Sequence, residues 1–141
     1  MFRARSIILA SVAFAPLLSG CGQRQVSYQK DIEPILQANC ATCHSHNGVG
    51  YTVSGFSVES YATLMKGTKY GPVIDPGSSA QSNLVWLLEH HGHPQINMPK
   101  NCERMTQNGQ NCAAASTSAR QLSGEEVARI SKWIDQGAKD N

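Results

Sequence analysis

At 141 residues the chain is one domain's worth and too short for two ordinary cores. Hydrophobic residues make up 40% and charged residues 16%, which excludes both a disordered polyampholyte and a multi-span membrane protein. Twelve Lys and Arg against ten Asp and Glu leave a net charge of +2, too small to argue for a nucleic-acid partner.

The first twenty residues read as an export address. Arg3 and Arg5 form a positive start, and the apolar run Ile7–Leu18 is shorter than the roughly 20 residues a bilayer span needs, so it fits the hydrophobic region of a signal peptide. The run ends in Leu18-Ser19-Gly20-Cys21, which resembles the lipobox of bacterial lipoproteins. That resemblance implies cleavage before Cys21 and lipidation of its sulfur and new amino group; Gly22 rather than Asp after it favours an outer membrane. The alternative is a plain signal peptide with Cys21 free or disulfide-bonded. Removal of residues 1–20 takes two of the twelve basic residues and no acid, leaving ten of each. Residues 21–27 then form a lipid-anchored tether reaching at most about 25 Å, and residues 28–141 form the folded domain.

A first helix is predicted over about Tyr28–Asn39, with Ile32, Ile35 and Leu36 at helical spacing and Pro34 tolerated only in a first turn. It runs into Cys40-Ala41-Thr42-Cys43-His44, the C-x-x-C-H spacing of a c-type haem attachment site. Two thiols three positions apart on one turn can add to the two vinyl groups along one porphyrin edge, and His44 then lies under the iron as proximal ligand. Two other readings compete. A thioredoxin-like redox pair expects a helix that starts at the first Cys, in a βαβ setting. Structural zinc on Cys40, Cys43, His44 and His46 has the right ligand number, but zinc sites usually draw ligands from two separated segments. Only 6% of the chain is aromatic, so a cofactor filling the middle of the domain agrees with the composition.

Residues 45–56 read as a Gly-rich loop. A second helix is expected at about Val58–Lys66 with Ser57 as N-cap and Gly67 as stop, and a third at about Ala80–His90 with Leu84, Val85, Trp86, Leu87 and Leu88. Cys102 and Cys112 bracket an eleven-residue loop rich in Asn, Gln and Gly, and in an oxidising compartment the two pair. On a chain-entropy account so short a loop contributes about 3 kcal/mol at most. The bridge either stiffens the loop that precedes it or is an independent surface staple. Residues 113–122 read as a Ser/Ala-rich loop. The last helix begins at Ser123 with Glu126 three on, a capping box, and carries Val127, Ile130, Trp133 and Ile134 on one stripe.

The stretch Tyr28–Leu36 with its "DIEPIL", followed by Cys40–His44, resembles the opening of planctomycete-type cytochrome c domains, a branch of class I cytochromes c. Further similarity lies in Gly71–Gly77, Ser82-Asn83-Leu84, Met98-Pro99 and Trp133–Ala138, so it covers most of the chain from residue 28 onward. The segment between Met98 and the last helix, with its two extra Cys, departs from the pattern, as does the His-rich run before Met98. The resemblance implies an all-α fold: a small monohaem cytochrome c of about four helices wrapped around one covalent haem c, with long loops. It implies that the first and last helices cross through Ile32, Leu36, Ile130 and Trp133, and it makes Phe56, Tyr70 and Trp86 candidates for the haem wall and the Pro72 carbonyl a candidate acceptor for the His44 ring N–H.

A Met thioether is the usual second axial partner of His in cytochromes c. In the family the Met before Pro in such a loop is the ligand, which points to Met98. Met65 and Met105 are the other Met candidates, and His90, His91 or His93 would also serve, at a lower potential. With both axial positions filled the expected role is electron transfer with transient redox-protein partners, at the periplasmic face of a membrane. The alternative is a redox or gas sensor with a displaceable sixth ligand, and an open iron would allow peroxidase-like activity.

Overall fold

The computed structural model describes residues 24–100 and 121–141. Cys21, Met105, Cys102 and Cys112 lie outside the described residues, as does most of the signal and tether. The described residues are helical, without a named strand; an isolated bridge joins Thr68 to Gly71.

The chain enters through a π-helical turn, Tyr28–Ile32, and continues directly as α1, Glu33–Asn39. The expected first helix is therefore present, with a wide turn ahead of Pro34. Proline has no N–H to give and crowds the preceding turn; the π turn places it in the first turn of α1, where neither matters. Ser27 caps the entry, accepting from the Lys30 amide at 3.3 Å while its own amide donates to Asp31 Oδ2 at 2.9 Å.

Three short helices follow: α2, Ala41–His44; α3, Val49–Ser54; and α4, Tyr61–Lys66. Helix α3 lies where the sequence suggested loop. It is closed at its C-terminus by Gly55 in the left-handed region (φ +75°), a conformation that costs glycine little. Helix α4 starts three residues later than expected. The Val58 amide is committed to the His44 carbonyl at 2.9 Å, and the Ser57 hydroxyl instead accepts from the Glu59 amide. Ser60 is the true cap, in a reciprocal box with Thr63; Gly67 ends the helix as expected.

The expected third helix is split into a 3₁₀ turn, Ser79–Gln81, and α5, Asn83–Leu88. The divider is Ser82, fully buried in extended conformation, whose hydroxyl accepts from the Asp75 amide and donates to the Ser78 carbonyl, each at 2.9 Å. Side-chain bonds to nearby backbone compete with helix here and win. The last helix, α6, Gly124–Asp135, has the predicted cap: Ser123 Oγ accepts from the Glu126 amide and Glu126 Oε2 from the Ser123 amide.

Ile32, Leu36, Ile130 and Trp133 are all essentially inaccessible and share one apolar cluster, so the first and last helices meet as expected. Tyr28 meets Tyr61 edge-on and Trp133 at a tilt, at centroid distances of 5.2 and 5.6 Å. Burial pushes the Tyr28 phenol up to about 12. Polar ties reinforce the meeting. The Val26 amide donates to Gln136 Oε1 at 2.7 Å and the Ser27 hydroxyl to the Asn141 carbonyl at 2.6 Å, so the last residues of the expected tether pack on the domain.

Candidate haem site

Helix α1 ends as it reaches Cys40, whose amide closes its last turn on Leu36. The next turn is built on the Cys40 carbonyl, which accepts from the Cys43 amide at 3.1 Å and the His44 amide at 2.8 Å. Both thiols and the imidazole thereby sit on one helical turn. The thiols are half-buried and the imidazole is buried.

The His44 ring is held from two sides. Its Nδ1 lies 3.2 Å from the Phe56 carbonyl, and its centroid is 5.2 Å from that of Phe56 in an edge-to-face arrangement. A carbonyl can only accept, so Nδ1 carries the hydrogen and Nε2 keeps its lone pair. Burial lowers the pKa of the ring, partly offset by the Phe56 bond, which favours the neutral imidazole a metal requires. The expected acceptor, the Pro72 carbonyl, is replaced by Phe56: the Val58–His44 main-chain bond brings residue 56 back against the ring. Pro72 packs instead on Gly67, where a Cβ would come within 2.6 Å of Pro72 Cα.

Glycines make room for this turn. At Gly50 a Cβ would stand 2.7 Å from His44 Cε1, 2.9 Å from Nδ1 and 2.9 Å from the Cys43 carbonyl, and at Gly48 it would collide with that same carbonyl. These contacts were not legible in the sequence, where Gly48 and Gly50 signalled only a loop. Among the haem-wall candidates, Phe56 is buried beside His44. Tyr70 stands at the surface, 85% exposed, with the Lys69 ammonium 5.2 Å over its ring, and Trp86 is 41% exposed and covers Gly92. A polar turn at Thr68–Gly71 carries Tyr70 to the surface.

The two competing motif readings find no support. Burial, then the neighbouring Cys43, pushes the Cys40 thiol up to about 12, opposite to the lowered value of a redox-active thiol. Among the described residues no group of three or more His, Cys, Asp and Glu side chains could hold a metal ion by themselves, and His46 faces the Tyr51 ring at 5.1 Å. Two thiols, one neutral imidazole with Nε2 available and glycine-lined backbone fit a covalently attached haem.

Met98 follows α5 and a turn through His90–Asn97. Its side chain is partly buried against the core. Its amide donates to the Leu87 carbonyl and its carbonyl accepts from His90 Nε2, both at 3.2 Å, and the Met98–Pro99 peptide is cis. His90, His91 and His93 are exposed: His91 lies 3.5 Å from Glu89, and His93 Nδ1 accepts from the Gln95 amide. Met65 is partly buried in α4 against the core. A surface groove of about 740 Å³ runs between Ser79–Glu89 and α6, lined by Ala80, Val85, Ser131 and Lys132 among others, and none of its walls comes from residues 40–58.

Residues 40–101 match the family model described as Planctomycete cytochrome C. Hydrazine synthase subunit alpha of Kuenenia stuttgartiensis is 29% identical over 138 residues, covering 83% of this chain and 16% of that protein. The chain thus spans about a sixth of the length of that relative. No solved structure matches. Residues 40–101, which hold the Cys40–His44 turn, are thus similar to planctomycete cytochrome c domains, a likeness that implies a haem-based redox function.

Proposed function

We propose that the protein is a membrane-anchored electron carrier with one haem c, joined through thioethers to Cys40 and Cys43 and ligated by His44 and Met98. The single observation that carries this reading is the His44 ring, buried, neutral and bonded at Nδ1, with Nε2 left for a metal. The haem supplies the one-electron chemistry, its iron cycling between ferrous and ferric. The chain's residues do the rest. Cys40 and Cys43 would fix the group on one turn; Phe56 sets the tautomer and basicity of His44; Met98, partly buried against the core, would supply its thioether. With His44 and Met98 both holding the group, these side chains would need to move little between redox states, which suits electron transfer.

Met98 is the better distal candidate because the three nearby His are exposed and Met98 packs inward. Export to the periplasmic face, anchoring through lipid on Cys21 and a Cys102–Cys112 bridge complete the reading, with transient redox proteins as partners. Among the described residues no helix is long and apolar enough to cross a membrane. A second reading, a haem domain that serves an enzyme or senses a ligand at an open iron, is favoured by the likeness to a hydrazine synthase subunit.

Full-length protein made with a cytochrome c maturation system tests this. The carrier reading expects a mass increased by one haem, a low-spin reduced spectrum, a Met–iron absorption band and no reaction with carbon monoxide. Rapid carbon monoxide binding selects the second reading, and a mass without haem overturns both. Mass of the amino-terminal peptide and a free-thiol count test Cys21 and Cys102–Cys112.

A further inference from the structure

We propose that Ser54 is a positioning residue for the proximal imidazole, joining the glycine that makes room for the His44 ring to the peptide that receives its N–H. The inference rests on the reading that His44 ligates haem iron through Nε2. Ser54 touches neither the ring nor the thiols in the bonds it makes. Its hydroxyl donates to the Gly50 carbonyl at 2.6 Å and accepts from the Phe56 amide at 3.1 Å. Gly50 is the residue lying against Cε1 and Nδ1 of His44, and the Phe56 carbonyl is the acceptor for that Nδ1. One oxygen therefore ties together the two flanks of the imidazole.

A helical serine bonding back to the carbonyl four residues earlier is ordinary. The second bond is the informative one. Phe56 is buried, and Ser54 Oγ supplies its amide with an acceptor inside the protein. Without the hydroxyl that part-buried amide loses its partner within the protein, and an unpaired N–H favours reorientation of the peptide. Turning the peptide moves its carbonyl away from Nδ1. The main chain at Ser54 is anchored separately, since its carbonyl accepts from the Lys69 amide at 2.8 Å, so the hydroxyl can be removed without releasing the segment.

A hydrogen bond from a metal-bound imidazole makes the ligand a stronger donor. A stronger donor favours ferric over ferrous iron, so weakening the bond raises the reduction potential. The test compares full-length haem-loaded wild type, Ser54→Ala and Ser54→Thr. Ser54→Ala is expected to raise the midpoint potential severalfold in equilibrium terms, a tenfold change reading as 59 mV for one electron, and, when each protein also carries Met98→Ala so that the ferrous iron is five-coordinate, to lower the iron–His stretching frequency. Ser54→Thr keeps an oxygen in place and is expected to stay near wild type. In the wild type, the Phe56 amide is expected to exchange slowly with solvent, a measurement that needs no variant to fold.

Three results overturn the proposal. They are a Ser54→Ala potential and iron–His frequency equal to wild type, a Ser54→Thr shift as large as that of Ser54→Ala, or rapid exchange at Phe56. A wild type that lacks haem, or whose His44 is not on iron, overturns the function proposed above and this inference with it. A normal wild type with unmoved variants overturns only the role of Ser54.

Discussion

The segment that presents His44 and the segment that presents Met98 are built differently. His44 is held by its neighbours in space: its ring by Phe56, its carbonyl by the Val58 amide, its flank by Gly50, all from residues beyond its own turn. Met98 is held through its main chain, to Leu87 and His90 of its own helix and loop, while its side chain only rests on the core. The first is a bracket with directional bonds on several sides. The second is a loop leaning on apolar residues, and apolar contact sets a place without setting an orientation. If both side chains ligate the haem as proposed, the Met side is the one that heat, acid or an external ligand should displace first.

The strongest break of the comparison is at attachment. Replacing Cys40 and Cys43 together with Ser should abolish covalent haem, so that none remains on the polypeptide after acid-acetone extraction; the Met98 segment, intact, should not compensate. Next, Met98→Ala should eliminate the Met–iron absorption band and open the iron to carbon monoxide while the covalent haem stays in place, read by spectrum before and after gas addition. A substitution in the core on which both segments depend should not discriminate. Trp133→Ala should cost about 3–5 kcal/mol, as large truncations in a core do, measured as a lower denaturant midpoint with ligand loss and unfolding together.

Acid should sharpen the contrast. Burial holds the His44 pKa below its ordinary value of 6.5. The neutral ring and the stability it brings are therefore present above 6.5 and lost only as pH falls through the lowered value. His44 ligation should persist through pH 6.5 in a spectroscopic titration. The smallest effect is expected at His90→Ala, which removes one exposed bond to the Met98 carbonyl and should cost about 0.5 kcal/mol, seen as slightly earlier thermal loss of the Met–iron band.

Much of this was legible in the residue order, and for local reasons. The Cys40–His44 motif needs only five consecutive residues. The last helix announces itself through Ser123, Glu126 and an apolar stripe, each a short-range signal. The first helix was legible in extent, but the π turn ahead of Pro34 was not, because a proline marks a problem without stating its solution. Ser57 and Ser60 are equally good caps by type. What chose Ser60 was the bond from the Val58 amide to the His44 carbonyl, across fourteen residues of sequence. Helix α3 escaped notice since Gly, Val, Thr and Ser are weak helix formers, and its Thr52 and Ser54 hydroxyls bond back to its own carbonyls.

Residue order alone was enough for the helical class, for the faces that are buried and for placing two thiols and an imidazole on one turn. It could do so because those properties depend on residue type at fixed short spacing. The surroundings of the imidazole were decided only by tertiary structure. Phe56 rather than Pro72 receives its N–H, Gly50 lies against it, and Tyr70 points away. Backbone carbonyls are the same at every residue, so nothing in a side-chain alphabet says which of them a folded chain will bring within 3.2 Å of a given ring nitrogen.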